Sequence, residues 1–283
     1  LQNTEQFTNK QKQAEKKANI TEIFSSVQGE GPLIGFRHIF LRFMGCDLRC
    51  NWCDTPNSLI TKSDKKAQIE QKAGARNFAE FDNPMSIEEI ANAIIKLEAN
   101  TPHQSLSLTG GEPLLQKDFI KDLIPSLKAQ NFQPIIYLET GGHRYKELSE
   151  IINLLDFVSF DLKLPSSTHE KPLWDLHAKF VEILSQSPQV YAYAKAVLTD
   201  ETQEKDLIQA CELLLKNPIL ELVLQPVSLV FNKSESKEKI TGLIDYKIPT
   251  PEKMLRFQEI AVEIVGRKRI RIIPQTHKLM GQI

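Results

Sequence analysis

No stretch of this chain reaches the roughly 18 consecutive apolar residues that a spanning helix needs, so no membrane span is expected. The opening LQNTEQFTNKQKQAEKKANI lacks the apolar centre of a secretory leader, which makes a cytoplasmic location the default expectation. Net charge is also missing. The 35 Lys and Arg residues against 36 Asp and Glu leave −1, giving no electrostatic reason to expect nucleic acid or acidic lipid as a partner. A local basic run, Arg267, Lys268, Arg269 and Arg271, alternates like a strand and reads as a solvated face. There is no internal repeat and no Pro/Gly/Ser-rich linker. Cysteine is scarce: four residues in a cytosolic chain do not suggest a disulfide framework.

What is present is a globular composition, 283 residues with 41% hydrophobic, enough for a sizeable core. Residues 1–18 read as a polar N-terminal arm and 19–283 as one domain, interrupted at about 61–85 by a polar, irregular insertion. HIFLRF (38–43) reads as a buried strand. Beyond the insertion, Ser86 and Glu89 make a capping box for the helix SIEEIANAIIKLEAN. Strands and helices then alternate: SLSLT, DFIKDLIPSLKAQ, PIIYLET, HRYKELSEIINLL, DFVSFDLK, VYAYAKAVL, ETQEKDLIQACELLLKN, ILELVLQP, PEKMLRFQEIAVEIVGR and RIRIIP. This alternation predicts an α/β fold with parallel strands, a partial or full (β/α) barrel, with functional loops at the carboxyl ends of the strands. The distinctive motifs fall there.

Three of the four cysteines lie in Cys46-Asp-Leu-Arg-Cys50-Asn-Trp-Cys53. Cys211, among Ala210, Leu213, Leu214 and Leu215, reads as a small buried hydrophobe. Clustered thiolates suit zinc, copper or iron–sulfur. Structural zinc and most 4Fe–4S sites take four protein ligands. Three cysteines leave one iron of a cubane open, as substrate or cofactor chemistry requires. A structural zinc completed by one of the six histidines is the alternative, and a redox pair is a second.

The C-x3-C-x2-C spacing, Trp52 before the last cysteine and Thr109-Gly110-Gly111-Glu112-Pro113 one strand later resemble the radical S-adenosylmethionine (SAM) superfamily. Gln28-Gly29-Glu30-Gly31, Arg42 with Gly45-Cys46, Cys53-Asp54-Thr55 and Pro274-Gln275-Thr276-His277-Lys278 are similar to its 7-carboxy-7-deazaguanine synthase family, from about residue 20 to the end. The insertion is longer than in compact bacterial members, and the arm has no clear counterpart.

The resemblance implies a modified, incomplete barrel, a 4Fe–4S cluster, SAM, Mg²⁺ and a homodimer. It also implies ring contraction of 6-carboxy-5,6,7,8-tetrahydropterin to 7-carboxy-7-deazaguanine with loss of ammonia, on the way to queuosine. An electron donor such as flavodoxin or ferredoxin would feed the cluster. Cys46, Cys50 and Cys53 would hold the cluster, and Thr55 would hold Mg²⁺ through its hydroxyl. Val27, Gln28, Gly29, Glu30, Arg42, Thr109, His277 and the terminal carboxylate of Ile283 would meet the substrate. Trp52, Cys53, Asp54, Gly111, Glu112, Asp161 (or Ser159), Lys163, Gln225 and Pro226 would meet SAM. Glu139 and His143 in ETGGH read as part of a loop that shapes the pocket. A glycyl-radical-enzyme activase shares the cluster motif, but has no use for QGEG or QTHK. A zinc-binding adaptor is the reading from another class.

Overall fold

A computed structural model describes residues 16–61, 65–228 and 246–282. Its strands, in chain order, are β1 Lys17–Ala18, β2 Ile20–Val27, β3 Arg37–Phe43, β4 Ala67–Glu70, β5 Phe78–Phe81 and β6 Met85–Ser86. They continue with β7 Ser105–Gly110, β8 Ile135–Thr140, β9 Phe157–Asp161, β10 Tyr191–Leu198, β11 Glu221–Pro226 and β12 Ile270–Ile272. Ten form one sheet in the order β12-β11-β10-β9-β8-β7-β3-β2-β4-β5. From β3 through β7 to β12 all neighbours run parallel. The sheet does not close: β12 and β5 are its two edges. The α/β fold with an incomplete parallel barrel is therefore as expected.

Every step between consecutive parallel strands carries a helix: Ile87–Asn100, Lys117–Ala129, Tyr145–Ile151, Trp174–Ser185, Glu204–Leu214 and Pro251–Val265. The first starts at the foreseen capping box. Ser86 Oγ accepts from Glu89 N at 3.2 Å, while Glu89 Oε2 accepts from Ser86 N at 2.7 Å. Pro251 occupies the first turn of the last, capped by the Thr250 hydroxyl.

Alternation along each strand divides the sheet into two faces. Ile39, Leu41, Phe43, Leu106, Leu108, Ile136, Leu138, Val158, Phe160, Ala194, Ala196, Leu222 and Leu224 belong to one buried apolar cluster with the helices. Each large side chain buried there contributes roughly 1.5–3 kcal/mol. The intervening residues, among them Arg42, Thr109, Glu139, Ser159, Asp161, Lys195 and Gln225, line a cavity on the other face.

Three elements and one residue differ from the sequence reading. IFSSV, to which the sequence reading assigned no element, belongs to strand β2, antiparallel to β3. Its polar side chains suit a strand because each finds a partner: Glu22 pairs with Arg42 at 2.7 Å, and the Ser25 hydroxyl meets Arg37 and His103. Much of the 61–85 segment is ordered as the β4–β5 hairpin, which extends the sheet beyond β2. Helix Trp174–Ser185 was not foreseen, though His177, Phe180, Val181 and Leu184 are buried at helical spacing. Arg269 is not a solvated strand residue. Its guanidinium donates to the carbonyls of Leu214, Asn217 and Leu220 and so caps a helix end. Residues 1–15 of the arm lie outside the described residues, and β1 at its end pairs with β6. No helix among the described residues is long and apolar enough to cross a membrane.

Candidate active site

The cavity opens at the carboxyl ends of the parallel strands, where the loops after β3, β7, β8, β9 and β11 converge. Cys46, Cys50 and Cys53, all free thiols, occupy the loop after β3 and line one wall. No group of three or more His, Cys, Asp or Glu among the described residues is arranged for a single metal ion. A cubane makes a different demand, since each of three thiolates takes a separate iron. Burial pushes the Cys46 thiol up to about 11 and raises Cys50 as well. Their thiolates thus need a positive partner, which a metal cluster supplies. The donor set and its open wall fit a three-cysteine cluster.

Glycines let the next loop approach. A Cβ on Gly111 would lie 2.2 Å from the Gly45 carbonyl oxygen, and one on Gly110, whose φ is +130°, would lie 2.3 Å from that of Phe43. Gly111 N donates to Phe43 O at 3.1 Å and Glu112 N to Gly45 O at 2.8 Å, so the GGE segment rides on the cysteine loop. The Glu112 carboxylate faces the protein: it accepts from Thr140 Oγ1 at 2.7 Å and from Gly141 N at 2.8 Å. Asp47 ties the cysteine loop to the loop after β8 through His143 at 3.0 Å and Arg144 at 2.9 Å. His143 is a tether, whereas Glu139 lines the cavity itself.

A second wall is built by two distant segments. Gly29 O accepts from Thr276 N at 2.9 Å, and a Cβ on Gly29 would strike the His277 ring at 2.1 Å. The QGEG turn and the QTHK turn are thus stacked. Gln275 Nε2 reaches Glu30 Oε1 at 2.6 Å and Asp54 Oδ2 at 3.0 Å, and Lys278 Nζ also holds Asp54 at 3.0 Å. Burial opposes the charge on Asp54, yet Lys278 and Gln275 hold its pKa down at about 2. Thr55 Oγ1 stands 3.8 Å from Cys53 Sγ at the junction of these walls.

Buried charges cross the floor. Glu30 pairs with Lys195, Lys195 lies 3.3 Å from Asp161, and Asp161 pairs with Lys163 at 2.6 Å. The Lys163 ammonium sits 4.6 Å from the centre of the Trp52 ring. Burial disfavours the charge on Asp161, but Lys163 and Lys195 keep its pKa below the usual carboxylate range. Glu139 goes the other way. Burial and then the Glu30 charge raise it, although it accepts from Gln28 Nε2 at 2.9 Å and Ser107 Oγ at 2.8 Å. Arg42 pairs with Glu22 through Nε and also lines the cavity. Gln225 Oε1 is buried with no partner among the described residues, as a group awaiting a ligand would be.

The structure therefore gathers Val27, Gln28, Gly29, Glu30, Arg42, the three cysteines, Trp52, Asp54, Thr55, Thr109, Gly111, Glu112, Ser159, Asp161, Lys163, Gln225 and His277 around one cavity. Pro226 does not join them. It pairs with Leu198 inside the sheet, and its neighbours Val227 and Ser228 line the cavity instead. Ile283 lies outside the described residues. Sequence reasoning passed over Lys195, Gln275 and Lys278 as site residues. The signal that singles out Arg42, a charge within an apolar strand, was present for Lys195 in YAYAKAVL.

Residues 41–186 match the model of the radical SAM superfamily. A protein of Geobacter sulfurreducens named 7-carboxy-7-deazaguanine synthase is 38% identical over 94% of this chain and 98% of its own length. A synonymous protein of Thermococcus kodakarensis is 32% identical over 93% of this chain and 98% of its own. Among solved structures, QueE from Escherichia coli superposes with a TM-score of 0.54 at 17% identity, covering 92% of this chain and 94% of that one, a likeness of fold.

Proposed function

The chain belongs to the 7-carboxy-7-deazaguanine synthase family of the radical SAM superfamily, and from that membership we propose which residues perform each part of the reaction. It is a radical SAM enzyme that converts 6-carboxy-5,6,7,8-tetrahydropterin to 7-carboxy-7-deazaguanine with release of ammonia, a step toward queuosine. The observation that carries the residue assignment is convergence. QGEG, the cysteine loop, GGEP, the end of β9 and QTHK are scattered along the chain yet line a single cavity.

Cys46, Cys50 and Cys53 hold the 4Fe–4S cluster. With SAM, that cluster would supply radical hydrogen-abstraction chemistry when bound. The protein's part is binding, orientation and proton handling. Asp161, which has a stable negative charge, and Ser159 offer acceptors to the SAM ribose, while Lys163 offers a cation to its carboxylate. Gln225, with its unpartnered oxygen, faces the adenine. Gly111 lets the loop backbone approach the methionine end.

On the substrate side, Glu30 and Gln28 read the heterocycle edge, and Val27 and Gly29 complete that turn. His277 stands over Gly29, and Thr109 lies beside them. The Arg42 guanidinium uses Nε for Glu22, leaving its other nitrogens to meet the substrate carboxylate. Thr55 would hold Mg²⁺ through its hydroxyl oxygen, and the ion would supply positive charge for the substrate carboxylate. Glu139, buried and with its pKa raised by burial and the Glu30 charge, receives and returns a proton during the rearrangement. A flavodoxin- or ferredoxin-like donor, a homodimer and a cytoplasmic setting complete the proposal on family resemblance.

The test is an anaerobic assay of reconstituted protein with SAM, Mg²⁺, reductant and 6-carboxytetrahydropterin, alongside Cys50→Ala. Product from the wild type and none from the variant is expected. Formation of 5′-deoxyadenosine without 7-carboxy-7-deazaguanine would remove the substrate assignment.

A further inference from the structure

Lys195 joins the two sides of the site, Glu30 on the side proposed for the substrate and Asp161 on the side proposed for SAM. It rises from β10 with a side chain only 12% exposed, bonds Glu30 Oε2, and lies 3.3 Å from Asp161 Oδ1. These two carboxylates are not equally dependent on it. Asp161 has a second cation, Lys163, at 2.6 Å. Glu30 has none among the described residues: its other oxygen accepts from the neutral amides of Gln275 at 2.6 Å and Gln225 at 3.2 Å.

We infer that Lys195 is a positioning residue for this reaction: by bridging Glu30 and Asp161 it keeps Glu30 an anionic acceptor, aimed at the N–H edge of an amino-oxo pyrimidine ring such as the pterin's. The inference rests on the reading of Glu30 as a substrate contact. A protonated Glu30 would present an O–H where the heterocycle also presents N–H groups, and donor would face donor.

The surroundings show why the bridge is needed. Glu30 is faced by Asp54 from the cysteine loop, by His277 from the C-terminal turn, by Glu139 from β8 and by Lys195 from β10, with Lys278 on Asp54 and Asp161 on Lys195. Burial raises its pKa and so does Asp54, while Lys195, with a smaller share from the Gln275 hydrogen bond, brings it below the ordinary value. Without the ammonium, burial and the charge of Asp54 are opposed only by neutral amides such as that of Gln275, and the pKa of Glu30 rises.

The experiment uses the cluster-loaded enzyme as wild type, Lys195→Met, Lys195→Arg and Glu30→Gln. KM and kcat are measured for both substrates from pH 6 to 9. Anaerobic equilibrium dialysis of 6-carboxytetrahydropterin, without reductant, reads binding apart from turnover. Lys195→Met is expected to raise the pterin KM about tenfold or more at pH 7, with kcat and the SAM KM changing far less. That KM should recover as pH rises and Glu30 ionises, whereas the wild-type KM stays flat. Lys195→Arg should restore most of the affinity.

A Lys195→Met enzyme whose pterin KM is unchanged, or raised equally at every pH, overturns the inference. Should that variant fail to fold, the Glu30→Gln/Lys195→Met pair removes both buried charges together. It should match Glu30→Gln alone, and weaker binding than that single variant would mean that Lys195 acts on the substrate directly, which also overturns the inference. An unchanged KM in Glu30→Gln would remove the substrate reading of Glu30 itself, a failure distinct from that of the bridge.

Discussion

His38 lies on β3 with both ring nitrogens buried and unbonded among the described residues, stacked 5.6 Å from the Phe40 ring and edge-on to Tyr137 at 5.4 Å. Burial first, and the charge of His103 second, lower its pKa to about 4. A lowered histidine binds its proton more readily when unfolded. Its contribution is therefore whole above about pH 6.5 and is lost as pH falls toward 4. The shift corresponds to roughly 3 kcal/mol at the acid end. His38→Phe should leave the urea midpoint at pH 7 little changed and make the loss between pH 6.5 and 4.5 measurably shallower. His177 retains its share, since its Nδ1 bonds Gly142 O at 2.8 Å and its Nε2 accepts from Lys163 N at 3.2 Å only when the ring is neutral. At this scale residue type was a sound guide wherever chemistry and placement coincide. Arg42 and the cysteines stood out; Lys195 carried the same signal as Arg42 and was passed over, while His177 gave none, because its partners Gly142 and Lys163 lie in loops distant in sequence.

The least expected element is the β4–β5 hairpin, which is more than an insertion in sequence. Its tip returns to the C-terminal turn, where the Arg76 guanidinium bonds the Gly281 carbonyl. The buried Glu70 carboxylate fixes that tip, accepting from Arg76 N at 2.8 Å and from Ser25 N at 2.8 Å. Arg76 has a φ of +56°, a left-handed conformation that needs such support. Arg76→Ala should speed amide hydrogen exchange in residues 276–282 several-fold while leaving exchange in β7–β11 unchanged, as mass spectrometry of peptides would report. Equal protection in both proteins would mean that the turn holds itself through Gln282 N to His277 O at 2.8 Å. Helices with caps and clear periodicity were legible in sequence. β2 and the hairpin were not, because their polar residues are matched only by cross-strand partners.

Across the whole molecule, the core and the site are separable. The apolar cluster lies between sheet and helices, while the three cysteines occupy a half-buried loop outside it. Stripping iron with a chelator should thus leave the far-ultraviolet circular dichroism nearly intact, abolish SAM binding and alter Trp52 emission. Loss of the fold itself on chelation would instead mark a metal that holds the structure together, as in zinc fingers. By itself, the sequence determined the α/β class, the parallel order of strand and helix, the cluster motif and the family, because periodicity, caps and thiol spacing are local. Tertiary structure alone decided that QTHK stacks on QGEG, that Glu112 faces the protein, and that Lys195 joins Glu30 to Asp161. Those contacts span up to 248 residues of chain, from Gly29 to His277, and follow from strand register and the side of the sheet each residue faces.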